Sequence, residues 1–142
     1  MSRARRMQRI VALADAATRR ASMQVANSRR ALEQNQQQLE QFRGYQREYM
    51  ASMHTAGTSI SAAEARELRR FVAQLEQTIN ALHTRAERAE TQHRQDVARW
   101  HKEHRRTDAL NRILTREQRA ELHVEQAREQ READDRVRPE SE

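Results

Sequence analysis

Three kinds of residue in this chain could carry chemistry. The first is a histidine pair. His101 and His104 stand three apart, with Glu103 between them, so on a helix the two imidazoles could share a metal ion. No third ligand is evident, and the chain has no Cys to supply one. The pair therefore reads as solvated histidines in a basic helix, and His93 as a residue that softens packing. No glycine-rich phosphate loop and no Gly-x-Ser-x-Gly elbow occurs. Neither a metal nor a cofactor is expected, and the chain is not expected to be an enzyme.

The second kind is arginine, which makes up 26 of the 27 basic residues. Residues 1–60 carry ten Arg against four acids, whereas residues 61–142 carry seventeen bases against seventeen acids. Within the latter, 117–142 has nine acids and five Arg. The overall charge of +6 is thus a polarity along the chain. A uniformly basic surface would suggest phosphate binding. Here bases and acids alternate at helical spacing, as in Arg85-Ala86-Glu87-Arg88-Ala89-Glu90, and no aromatic residues are interleaved to stack on bases. A nucleic-acid partner is not expected. A basic segment entering an acidic protein channel accounts for the charge equally well.

The third kind is aromatic. Phe42, Tyr45, Tyr49 and Phe71 fall within thirty residues, with Trp100 further on. Phe42 and Tyr49 lie on the apolar seam described below, and Tyr45 and Phe71 lie beside it. Large aromatics beside a seam are left partly exposed, and such rings concentrate at protein–protein contacts.

What positions these residues is set by how few breakers the chain has: two Gly and one Pro in 142 residues, enough for about one internal turn. Ala, Leu, Glu, Gln and Arg dominate, which favours long helices. Gly57, followed by Ser61-Ala62-Ala63-Glu64, combines a helix stop with a capping box. The chain is therefore expected to be a single hairpin. Helix 1 spans about 4–54, a turn 55–60, helix 2 about 62–133, and a frayed acidic tail runs to 142. Gly44 lies within helix 1 beside Tyr45, where the missing side chain leaves room for a partner.

Steps of four and three from Met7 give Val11, Ala14, Thr18, Ala21 and onward to Met53, and ten of these fourteen positions are apolar. The same alternation runs from Leu68 through Val72, Leu75, Ile79 and Leu82. It is expected to slip near His93 and Asp96, where Val97 competes for the seam, and to resume at Leu110 and Leu114. This period predicts an all-α fold: a long antiparallel two-helix coiled-coil hairpin with helix 2 longer than helix 1. At ~1.5 Å per residue the helices would be about 75 and 105 Å long. A turn centred near Thr58 pairs residues whose numbers sum to about 116. Tyr45 would then face Phe71, and Trp100 would face Ala14, Ala16 and Ala17. Beyond about Leu114, helix 2 is expected to project alone or fray. No apolar run approaches the ~20 residues of a membrane span, and no h-region follows the basic N-terminus, so a cytoplasmic location is expected.

Leu39-Glu40-Gln41-Phe42-Arg43-Gly44-Tyr45-Gln46-Arg47-Glu48-Tyr49 resembles the Leu-x₂-Leu-x₂-Tyr-x₂-Glu-Tyr signature of the flagellar FliJ family. Gly57-Thr58-Ser59, Phe71-x₃-Leu75-Glu76-x₂-Ile79 and Trp100 follow in the order that family shows. The resemblance implies a non-enzymatic component of the flagellar type III protein export apparatus. Members are coiled-coil stalks that insert in the hexameric export ATPase ring and promote its activity. They also contact the export gate protein FlhA and escort export chaperones. It implies, too, a peripheral association with the cytoplasmic face of the inner membrane at the flagellar base. The family's gate-binding row maps to Gln38, Phe42, Tyr45, Tyr49, Phe71 and Leu75. It continues to Thr78 and Leu82, where this chain departs from the family's Ala and His, and Phe42 replaces the usual Leu. Arg3, Arg5, Arg6 and Arg9 are the expected contact with the ATPase ring. Injectisome stalk proteins are built alike but generally lack the Tyr-x₂-Glu-Tyr pair.

Overall fold

The computed structural model describes residues 2–56 and 60–137, with the side chains of Thr55 and Ala56 left aside. Helix α1 spans Arg3–Ala56 and α2 spans Ala62–Val137, so the chain is an antiparallel two-helix coiled-coil hairpin with the second helix the longer. The expected stop at Gly57 lies outside the described residues. The start signal of α2 is made: the Glu64 N–H donates to Ser61 Oγ at 3.2 Å. A cap that the sequence reading missed starts α1, where the Arg5 N–H donates to Ser2 Oγ at 3.2 Å.

The hairpin divides into two compact units, one of Met1–Ser22 with Arg99–Glu142 and one of Met23–Ala98. We call them the terminal unit and the turn unit. The core of the turn unit is Leu39, Leu75, Ile79, Leu82 and Ala86, with Phe42 packed against it. In the terminal unit Ala4, Val11, Ala14 and Ala21 are buried. Three of the four are alanines, so each removes little apolar area from water although it is well covered.

Two expectations about the seam need correction. First, α2 does not slip. Its shielded residues continue in unbroken steps of three and four from Ala65 through Ala89, His93, Asp96, Trp100, Glu103 and Thr107 to Leu110, Leu114 and Glu117. Asp96 holds a seam position at 5% exposure, accepting a hydrogen bond from Gln92 Nε2 at 3.0 Å. Val97 stays beside it, half-buried. A carboxylate with donors within reach tolerates a seam position, so a polar residue there did not mean a break in the period.

Second, the register differs from the turn-centred one. In the turn unit Ser28 Oγ lies 3.2 Å from His93 Nδ1, a pair whose numbers sum to 121. On that sum each seam position of α1 within the turn unit, from Val25 to Tyr49, meets a seam position of α2. A sum near 116 would set Leu39 against exposed Gln77 instead. Burial of the two stripes against each other, rather than symmetry about the turn, sets the pairing. In the terminal unit, Thr18 Oγ1 and Thr107 Oγ1 lie 2.8 Å apart, so Trp100, seven residues before Thr107 on an antiparallel helix, falls past Thr18 rather than opposite Ala14 to Ala17.

Helix α2 stays helical past the point where it loses its partner. Glu117 is its last shielded residue, and all described residues from Gln118 to Val137 are exposed. A helix extended from a nucleated one adds a hydrogen bond per residue without a new nucleation cost. This stretch is rich in Ala, Glu, Gln and Arg and carries an Arg128–Glu132 pair at 3.4 Å.

Candidate functional site

Four aromatics gather in the turn unit as two ring pairs. Phe42 and Tyr45 meet edge-on, with centroids 5.6 Å apart, as neighbours on one face of α1. Tyr49 and Phe71 meet across the two helices at 4.7 Å, with planes tilted by 48°. Tyr49, rather than Tyr45, is thus the partner of Phe71, which neighbours the Val72 that the register sets opposite Tyr49. Tyr45 and Phe71 are each 47% exposed, while Phe42 and Tyr49 are half-buried. The Tyr45 hydroxyl accepts a hydrogen bond from Gln41 Nε2 at 2.8 Å, which holds the ring along the helix surface.

The other residues of the row divide by depth. Gln38 is exposed. Leu75 is a core residue, packed with Leu39 and Ile79, and bears on the surface only through the rings it supports. Thr78 is exposed, its hydroxyl donating to the Gln74 carbonyl at 3.0 Å, and Leu82 is buried. Beside the Tyr49–Phe71 pair, Glu64, Glu67, Leu68, Arg70 and Gln74 close a shallow notch of about 410 Å³. The sequence reading missed this acidic rim, because Glu64 stood out only as a cap residue.

Gly44 does not open a space for a partner. The Arg47 guanidinium lies back over it to bond Glu40 Oε1 at 2.8 Å, and holds that carboxyl below the usual carboxylate range. A Cβ on Gly44 would meet the Arg47 side chain at 3.8 Å, an ordinary contact.

In the terminal unit Arg3, Arg5, Arg6 and Arg9 are all exposed, and none makes an ion pair with a described residue. They stand in the first two turns of α1, where the positive end of the helix dipole disfavours cations and the helix has no acid of its own. Part of that cost is offset from α2: the Ala4 N–H donates to Glu121 Oε1 at 3.3 Å. Four arginines placed against the dipole do not serve the helix, and they make this end of α1 a cationic surface.

His101 and His104 are both exposed, as expected of a solvated pair, and flank Trp100. His104 stacks on Trp100 at 5.0 Å with planes 10° apart, and His101 meets the same ring edge-on at 4.9 Å. Among the described residues, no group of three or more His, Cys, Asp or Glu is placed to hold a metal ion, and no helix is long and apolar enough to cross a membrane.

A family model described as flagellar FliJ protein matches residues 2–138 of the 142. No curated protein and no solved structure matches the chain. The match spans both helices and takes in the aromatic row and the arginine cluster alike: the chain belongs to the flagellar FliJ family, and so to the components of the flagellar export apparatus.

Proposed function

We propose that this chain is a stalk protein whose two units engage different partners. In the turn unit, the row of Gln38, Phe42, Tyr45, Tyr49 and Phe71, held from beneath by Leu75, docks the export gate protein FlhA. In the terminal unit, Arg3, Arg5, Arg6 and Arg9 contact the export ATPase hexamer and promote its turnover. The same chain escorts export chaperones, and it works at the cytoplasmic face of the inner membrane as a peripheral component. The observation that carries the reading is the exposure of Tyr45 and Phe71. Two large rings stand half in water on the surface of the turn unit, and burying them against a partner gains apolar area at little entropic cost.

The test uses two sets of variants. Tyr45→Ala with Phe71→Ala should weaken gate binding by about tenfold or more while leaving ATPase stimulation unchanged. The quadruple change of Arg3, Arg5, Arg6 and Arg9 to Ser should do the reverse. Circular dichroism melting identifies a variant that has lost its coil. A folded double variant that still binds the gate at full affinity would overturn the first half, and unchanged stimulation by the quadruple variant would overturn the second.

A further inference from the structure

The apolar stripe at the start of α1 is wider than a two-stranded coil can cover. Such a coil buries two positions in seven. A stripe that takes in a third position belongs to a helix with neighbours on two sides. Between Met7 and Ala14 the seam is Met7, Val11 and Ala14, yet Ile10 and Leu13 are apolar as well, 43% and 72% exposed. On α2, Ile113 is similarly left out, at 38%. Ile10 and Ile113 hold the same heptad position on their helices, one residue before a seam residue. In an antiparallel pair equal flanking positions lie on the same side. A groove of about 440 Å³ runs there, bounded by Arg3, Arg6, Met7, Ile10 and Glu117. All of these residues belong to the terminal unit.

We infer that this groove docks an amphipathic helix from a partner protein, with an apolar stripe that covers Ile10, Leu13 and Ile113 and carboxylates that pair with Arg3 and Arg6. The groove between two helices presents the surface that a third helix fills in a three-helix arrangement. Its charge selects the flanks: Arg3 and Arg6 have no ion-pair partner among the described residues, and Glu117 is the one acid bounding the groove. A second copy of this chain fits less well. Its free acidic segment offers Leu122 and Val124, which stand on opposite sides of a helix and form no stripe. The inference adds an apolar anchor to a surface proposed above on charge alone. It names the ligand's chemistry whichever partner supplies it.

The test measures fluorescence anisotropy of a labelled synthetic helix, with leucines at helical spacing flanked by glutamates, titrated with the full chain. Binding is expected, and Leu13→Asp should weaken it by about tenfold or more, as one anchor of a docked helix does. Arg3→Ser with Arg6→Ser should weaken it and flatten its salt dependence. Leu122→Asp should leave it unchanged, and the same peptide flanked by lysines should not bind. Leu13 lies mostly in solvent, so its variant should melt like the parent. The inference is overturned if the glutamate-flanked peptide does not bind or binds Leu13→Asp equally well. A chain that sediments as a dimer until Leu13→Asp dissolves it would assign the groove to a second copy and overturn it too. The ATPase assay with the arginine variants tests the ring reading separately, since peptide binding can stand while stimulation is unaffected.

Discussion

Gly44 shows how a single residue can be read wrongly from its neighbours. Standing beside Tyr45, it invites the idea of a space kept open for a partner. In the fold Arg47 reaches back over it to Glu40, and a Cβ would find an ordinary 3.8 Å contact. The glycine then brings only its cost, since it loses more backbone freedom on folding than alanine does. Gly44→Ala should therefore stabilise the hairpin by about 0.5–1 kcal/mol and leave gate binding unchanged. Urea unfolding measures the first and a binding titration the second. A variant that folds more tightly and binds the gate worse would restore a partner role to the missing side chain. The ring pairs carry a related lesson. That Tyr45 and Phe71 stand partly exposed was legible, because both fall beside the apolar period. Which ring meets which was not, because it depends on a register that short-range spacing does not contain.

At the scale of the helices, the period was legible over most of its length. Every seam position of α1 from Met7 to Tyr49 is shielded in the fold, and the period of α2 from Leu68 was read correctly as far as Ala89. Beyond Ala89 the seam turns polar, and the period is no longer legible from hydrophobicity. His93, Asp96 and Thr107 hold seam positions with hydrogen-bond partners, and hydrophobicity alone cannot report that. A buried polar residue in a coil costs stability and can fix the register. On the observed pairing Asp96 falls opposite Val25. Asp96→Leu should thus raise stability by about 1–2 kcal/mol, seen as a higher urea midpoint at unchanged slope. Loss of stability would mean that the hydrogen bonds of the carboxylate outweigh its desolvation. The register error has the same root. A turn-centred pairing treats the loop as the determinant, whereas the matching of two long stripes decides it.

For the whole chain, the telling division is between the part of α2 that has a partner helix and the part that has none. The step comes at Glu117, and Glu121 reaches across to the start of α1 just beyond it. Past Glu121 all described residues are exposed, so they bury no apolar area that folding could gain. Removing residues 122–142 should therefore lower the mean residue helicity while shifting the thermal midpoint by no more than about 2 °C. Removing residues 119–142 also takes Glu121. The Ala4 N–H then loses its acceptor, and the positive end of the α1 dipole, crowded by four arginines, loses the carboxylate beside it. That second truncation should cost a further ~1 kcal/mol or so. Glu121→Gln in the full chain should recover most of the hydrogen bond but not the charge, and should fall between the two. Thermal melts of the three proteins at low and high salt separate the terms, because only the dipole and charge contribution is screened. Equal midpoints for both truncations would show that the start of α1 holds without help from α2, and that its arginines cost the helix less than their position implies.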